Sequence, residues 1–288
     1  MTEMTGMTDE AQSTGTVLVV GGTGKTGRRV VQRLQARGVP VRVGSRSGET
    51  RFDWKDASTW EAALRGVSAA YVTYYPDLAA QGAPEAIAAL AQTARRAGTG
   101  KLVLLSGRGE VEAQRAEVAL QESGVDWTIV RCSWFNQNFS ENFWAEPLLA
   151  GEIALPAGDV PEPFVDAEDI ADVAVAALTE NGHAGRLYEL TGPRLLTFAD
   201  AVAEISTAVD RPIRFIPIPI EAYTKEMAAE GVPDDVASLV VYLFTEVLDG
   251  RNAHLSDGVQ RALGRKPRDF ADYARATAAT GVWSAERR

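Results

Sequence analysis

The first half of the chain alternates short, continuous apolar runs with stretches of helical period. Thr16–Val20 (TVLVV), Val41–Gly44, Ala69–Tyr74, Lys101–Leu105 (KLVLL) and Trp127–Val130 (WTIV) read as strands, with Arg51–Trp54 as a short additional one. Between them, Arg28–Arg37, Ala57–Arg65, Pro84–Arg96 and Glu110–Ser123 read as helices. Asp56 is placed to cap the second of these, and Pro84 fits a first turn. Strands covered on both faces lose the polar–apolar alternation that a half-exposed strand keeps, and these have lost it. Strand–helix repetition of this kind predicts an α/β class fold, a doubly wound parallel sheet with helices on both faces.

The second half is less regular. Pro156, Pro161 and Pro163 punctuate a loop after Glu152–Leu155. Asp169–Leu178 reads as helix, Arg186–Leu190 as strand, and Phe198–Val209 as a helix capped by Thr197. Pro212–Pro219 is extended, and helical stretches follow at about 221–230, 233–248, 256–263 and 268–280. No flexible linker divides the chain. Residues 16–150 are therefore expected to form the main domain. Residues 151–288 are expected to form a small, mostly helical substrate-side lobe, interleaved with the sheet and not independent of it. Residues 1–15, polar and poor in core formers, read as a disordered tail without the features of a secretory signal.

One turn carries most of the chemistry. Gly21-Gly22-Thr23-Gly24-Lys25-Thr26-Gly27 follows the first strand and opens the first helix. Glycines there permit positive φ and close backbone approach, so that backbone N–H groups and the helix N-terminus face a pyrophosphate. This is the context of a dinucleotide fingerprint, and it predicts an NAD(P)-binding Rossmann fold. The Gly24-Lys25-Thr26 ending also suggests a triphosphate loop, but that pattern needs glycine where Val19 stands, inside the strand. The second strand ends Gly44-Ser45-Arg46-Ser47 without the acid that accepts from ribose hydroxyls in NAD-preferring proteins. A guanidinium pairs with a 2′-phosphate and two hydroxyls donate to it. NADP(H) is therefore expected over NAD(H), with Arg46 as the main phosphate ligand beside Ser45 and Ser47. Asp53 and Trp54 are adenine-side candidates.

Composition narrows the partners. The 288 residues carry 29 basic and 39 acidic side chains, a net of −10, which argues against nucleic acid and anionic membrane. No apolar stretch approaches the roughly 20 residues of a membrane span. A single cysteine, Cys132, permits no intrachain disulfide and fits a cytoplasmic protein. With only His183 and His254 beside it, both read as surface residues, no metal site is expected.

Taken with SRSG at 45–48, RFDW at 51–54 and LLSG at 104–107, the glycine turn resembles the atypical short-chain dehydrogenases that include NmrA-like proteins. TIVRCSWFNQNFSE at 128–141, PFVDAEDIADVAVAAL at 163–178 and GRKPRDFADYA at 264–274 bring it near the festuclavine and agroclavine dehydrogenases of ergot alkaloid biosynthesis and their bacterial relatives. The likeness runs from about residue 16 to 283. It implies an NADPH-binding Rossmann domain with a small C-terminal lobe, and hydride delivery to an iminium carbon in the ergot enzymes. Short-chain dehydrogenases also carry a Tyr-x-x-x-Lys pair that protonates a carbonyl oxygen. Counted back from Glu117–Gly124, the pair falls on Gly109 and Ala113, and residues 106–125 hold neither Tyr nor Lys. Two functions stay open. One is a reductase acting on an imine or iminium, a quinone or an activated double bond without that pair. The other is a non-catalytic NADP(H) sensor of the NmrA type.

Ligands of doubly wound sheets lie outside the carboxyl ends of the strands, and this ranks the remaining candidates. Tyr74 and Tyr75 end the fourth strand and Ser106 the fifth, with Ser106 and Tyr75 as the catalytic candidates. Cys132 follows the sixth as a cofactor neighbour and a poor nucleophile. Arg108, Trp134, Phe135, Asn138 and Phe139 are the substrate-pocket candidates, with Phe143 extending an aromatic wall suited to a small, flat or cationic molecule. Asp166 and Asp169 are read as starting a helix, not as catalysts.

Overall fold

The computed structural model describes residues 15–141 and 143–284, so nearly all of the expected tail lies outside the described residues. Seven strands form a wholly parallel sheet: β1 (Val17–Val20), β2 (Val41–Ser45), β3 (Thr50–Arg51), β4 (Ala69–Val72), β5 (Lys101–Gly107), β6 (Asp126–Cys132) and β8 (Arg186–Leu190). Their order is β3-β2-β1-β4-β5-β6-β8, so the direction of winding reverses between β1 and β4. That reversal opens a crevice at the carboxyl edge, the usual seat of a ligand. Strand β7 (Glu152–Leu155) pairs in parallel with β9 (Arg214–Pro217) as a separate ribbon.

The continuous apolar runs are continuous because both faces are covered. On one face, α2 (Ser58–Leu64), α3 (Ala83–Ala97) and α4 (Val111–Gln121) pack Leu64, Ile87, Leu90 and Leu120 onto Leu18, Leu102 and Leu104. On the other, α1 (Gly27–Ala36), α6 (Ala167–Thr179) and α10 (Gly258–Leu263) set Val30, Leu34, Ile170 and Val173 against Val17, Val19 and Val103. Asp166 caps α6 by accepting from the Glu168 N–H. Thr197 and Asp200 form a reciprocal capping box at the start of α7 (Phe198–Ala208), as the cap pattern anticipated.

A third core holds the C-terminal part. Phe139, Phe164, Phe198 and Phe270 pack at centroid distances of 5.0–6.1 Å with Trp134, Trp144 and Phe244 around them, and Trp283 seals the cluster. Ion pairs tie this part to the sheet. Arg29 and Arg33 of α1 grip Glu168 at 2.5 Å each, Arg29 reaches Glu141 at 2.6 Å, and Arg33 reaches Asp172 at 2.6 Å. The wholly buried Asp169 takes Arg265 at 2.7 Å and Arg268. Asp169 thus anchors α6 to the segment before α11 (Phe270–Ala279).

Several expectations change. The third strand is two residues long, because Phe52 and the indoles beyond it turn into the helix side. The helix expected over 233–248 is α9 (Asp234–Tyr242), and it widens into a π turn at Leu243–Val247. His183 is buried, not superficial: its Nδ1 lies 2.9 Å from the Tyr188 hydroxyl, and burial depresses its pKa. None of the helices among the described residues is long and apolar enough to cross a membrane.

Candidate active site at the sheet switch point

The glycine turn is held by contacts that exclude side chains. Gly21 has φ +71°, and a Cβ there would lie 2.3 Å from Thr73 Oγ1. A Cβ on Gly27 would lie 2.2 Å from the Gly21 carbonyl oxygen, so only glycine lets α1 start this close to β1. Gly22 is similarly pressed on Val43. The Gly24 N–H donates to the Gly21 carbonyl at 2.9 Å, and the buried Thr26 hydroxyl accepts from Tyr71 at 3.0 Å. Thr23 and Gly24 stay exposed, and no side chain caps the N-terminus of α1. A cradle that admits no Cβ, below an uncapped helix start, fits a dinucleotide pyrophosphate.

Around the end of β2 the expected adenosine-side residues form one group. Ser45 is half-buried, whereas Arg46 and Ser47 are exposed. The Arg46 guanidinium lies 4.9 Å from the centroid of the Tyr75 ring. Asp53 is half-buried, and its carboxylate accepts from the Lys55 N–H in a local turn. The Trp54 indole donates to the Thr73 carbonyl at 3.0 Å and packs 4.7 Å from Tyr74, so it braces the end of β4. Tyr75, at 59% exposure, stands outside the cavity wall beside Arg46.

Beyond the glycine turn lies a cavity of about 450 Å³. Gly21, Gly24, Lys25 and Thr26 line one side, and Tyr74, Ser106, Cys132 and Ser133 from the strand ends form its base. Trp134, Phe135, Phe143 and Trp144 give an aromatic wall, with Asn138 beside them. Lys25 donates to Asn138 Oδ1 at 2.6 Å and lies 5.9 Å from the Phe135 centroid. Burial lowers its ammonium to about 8, against the pull of Glu141. Ser106 donates to Glu117 Oε1 at 2.6 Å, which leaves the serine lone pairs toward the cavity as acceptors. Burial pushes the Cys132 thiol well above its ordinary value, consistent with an inert neighbour.

One pocket expectation needs correction. Phe139 does not line the cavity: a one-turn 3-10 helix at Asn136–Phe139 turns it into the aromatic core, where it is 0% exposed. Asn138, one residue earlier, keeps the pocket side. Arg108 is among the residues that line the cavity. It is 3% exposed, with Nε 2.8 Å from Glu189 and Nη1 donating to Ser133 Oγ at 3.1 Å and the Asn252 carbonyl at 3.2 Å. His254 is exposed as expected, yet its Nε2 lies 2.8 Å from Arg108 Nη2.

The sequence reading missed three groups. The far wall comes from Tyr223 of α8 (Ile220–Ala229), Val240 of α9, and Leu243, Phe244 and Val247 of the π turn. Asp77 and Glu110 also line the cavity, and burial followed by the Asp77 charge raises Glu110 well above its ordinary value, while burial raises Asp77 too. Glu162 also lines the cavity. It is 0% exposed, and neither carboxyl oxygen has a hydrogen-bond partner among the described residues. Burial raises it to about 7, with Arg108 pulling the other way. Its one sequence signal was an acid set between two prolines, Pro161 and Pro163.

Gly109, where the resemblance would put a catalytic tyrosine, has φ +75°, and a Cβ there would meet Asn252 Nδ2 at 2.6 Å. Ala113, at the lysine position, is wholly buried in the core of α4.

Comparison with known proteins agrees with this geometry. Residues 21–181 match the NAD(P)H-binding family. The chain is 33% identical to an NAD(P)H azoreductase of Xenophilus azovorans over 287 residues, 91% of this chain and 98% of that protein. It is 31% identical to festuclavine dehydrogenase of Aspergillus fumigatus, over 90% of this chain and 96% of that one. Among solved structures, the Citrobacter sp. triphenylmethane reductase complexed with NADP(H) superposes with a TM-score of 0.74 at 20% identity, covering 91% of this chain and 99% of that one. The chain belongs to the NAD(P)H-binding oxidoreductase family, with the Rossmann-type fold that its glycine turn announces.

Proposed function

We propose that the protein is an NADPH-dependent reductase that reduces a small, flat, conjugated acceptor (an imine or iminium, a quinone, an azo bond or an activated double bond) without a Tyr-Lys pair. The carrying observation is the aromatic-walled cavity that opens directly beyond the glycine cradle at the switch point. Reduced nicotinamide supplies the hydride when bound. Gly21 to Gly27 and the start of α1 would hold its pyrophosphate, and Arg46, with Ser45 and Ser47, would hold the 2′-phosphate. Asp53 and Trp54 would hold the adenine side, Tyr74 and Ser106 the ribose, and Cys132 would neighbour the nicotinamide. Trp134, Phe135, Phe143 and Phe244 supply aromatic rings that suit a planar acceptor. Lys25, partly desolvated, places positive charge where electron density builds up on the acceptor.

The azo reduction in the azoreductase's name and the clavine dehydrogenation in the festuclavine enzyme's name support this choice of chemistry. A tyrosine at position 109 has no room, so carbonyl reduction of the usual short-chain type is disfavoured. The test is NADPH oxidation followed at 340 nm with a panel of cyclic imines, quinones and azo dyes. Turnover with at least one class is expected. Tight NADP(H) binding with no turnover across the panel refutes the reductase reading and favours a dinucleotide sensor.

A further inference from the structure

We propose that Glu162 is the proton donor of this reductase, and that the preferred acceptors are therefore neutral molecules that need a proton, such as quinones and azo compounds. The inference rests on the reductase reading above and deepens it. A buried carboxyl with both oxygens unpartnered is costly, and native proteins keep few of them. Glu162 is one, and it sits in the wall of the acceptor cavity. Its backbone is pinned, because its N–H donates to the Leu196 carbonyl at 2.8 Å and its carbonyl accepts from Leu196 at 3.0 Å. The side chain is thus carried on a fixed strand-like segment, with both oxygens buried at the cavity wall and unpartnered.

The other acids of the cavity are less suited. Glu110 has one unpartnered oxygen, Oε2, where Glu162 has two, and its carboxyl fills the space where a Cβ on Gly107 would be, 2.0 Å from Oε1. The Cys132 thiol and the Tyr74 and Tyr223 phenols are all pushed toward weaker acidity by burial. The positive groups facing Glu162 across the cavity are Lys25 and Arg108, and Arg108 is the one whose charge bears on its ionisation. Burial outweighs that charge and leaves the carboxyl about evenly protonated near pH 7, the condition for efficient proton transfer.

Hydride, carrying two electrons, forms a bond to one end of the conjugated acceptor as the dihydronicotinamide C–H bond breaks. The Glu162 O–H bond breaks and its proton goes to the other end, giving a hydroquinone or a hydrazine. The carboxylate then takes a proton from solvent. NADPH is oxidised, and the acceptor is reduced by two electrons.

Wild-type protein, E162Q, E162D and E110Q, each loaded with NADPH, would be mixed with 1,4-naphthoquinone in single-turnover experiments across about pH 5.5 to 9. Wild-type and E110Q rates should fall above about pH 7. E162Q should be slower by about 10²–10³-fold and lose that limb, while E162D keeps it at a reduced rate. NADPH affinity, read from its fluorescence, should change less than about twofold, which shows the cradle intact. An N-methyl cyclic iminium, which needs no proton, should lose less than about threefold in E162Q. If E162Q retains the wild-type rate and pH limb, or loses quinone and iminium turnover alike, Glu162 is not the donor. Should E162Q not fold, a wild-type or E162D profile flat through pH 7 overturns the proposal equally. Absence of wild-type turnover with every acceptor instead brings down the reductase reading itself, and the donor role with it.

Discussion

Replacing Glu162 by glutamine isolates the energetic cost of its burial from any role in chemistry. The substitution keeps size and polarity and removes the titration. The wild-type carboxyl moves from an ordinary value of 4.5 to about 7 in the folded protein. The folded state therefore holds the proton more tightly than the unfolded chain does. The associated stability is fully present below about pH 4.5 and is lost as pH rises through about 7. The whole displacement corresponds to about 3 kcal/mol, at roughly 1.4 kcal/mol per tenfold. Within about pH 5.5 to 8.5, a window that avoids the isoelectric region of this acidic chain, about 2 kcal/mol of it accrues. Urea unfolding of wild type and E162Q at the two ends of the window measures it. The glutamine protein should gain about 2 kcal/mol on wild type from the acid end to the alkaline end. Asp77, Glu110 and Asp166, also raised by burial, titrate in both proteins and cancel in the difference. A difference that stays level across the window would refute the claim that Glu162 is buried without a compensating partner.

Three further outcomes are expected. Arg46→Ala should weaken NADPH about 10–100-fold more than NADH, the worth of a charge-assisted contact; equal losses in fluorescence titrations would remove Arg46 from the 2′-phosphate. Gly27→Val, whose Cβ has to displace the Gly21 carbonyl now 2.2 Å from it, should abolish dinucleotide binding and lower the melting temperature while the far-UV spectrum persists; retained binding would sink the cradle assignment. Asp169→Asn leaves Arg265 and Arg268 with Asp172 alone and should cost about 2 kcal/mol in thermal unfolding; an unchanged melting temperature would show that the network contributes little.

Much of the sheet was legible because burial on both faces writes itself locally, as in Lys101–Leu105 and Val17–Val20. The cradle was legible for the same reason, since each glycine answers a clash within a few residues or with the adjoining strand. What stayed hidden depends on long-range packing. Phe139 and Asn138 are neighbours in an aromatic-rich segment, and only the 3-10 turn decides which of them enters the cavity. His183 looks superficial among Asn181, Gly182 and Gly185, yet Tyr188 draws it inward. Glu162 sits in a proline-rich stretch that reads as loop, and its burial follows from the bridge to Leu196 and the aromatic core beside it. The helix expected over 233–248 hid the wall it supplies, because the π turn that aims Phe244 and Val247 has no local signature.

The two sides of the cavity are built by different parts of the chain. The cradle and the strand ends belong to the parallel sheet, where a shift at one residue is felt along every paired strand. Tyr223, Val240, Leu243, Phe244 and Val247 belong to a helical layer that rests on the aromatic cluster. Substitutions in that layer can reshape the chamber while the cradle and the strand ends keep their places. The chamber thus has one wall fixed by strand pairing and one set by helical side chains, an arrangement in which its shape can be altered one side chain at a time without rebuilding the glycine cradle.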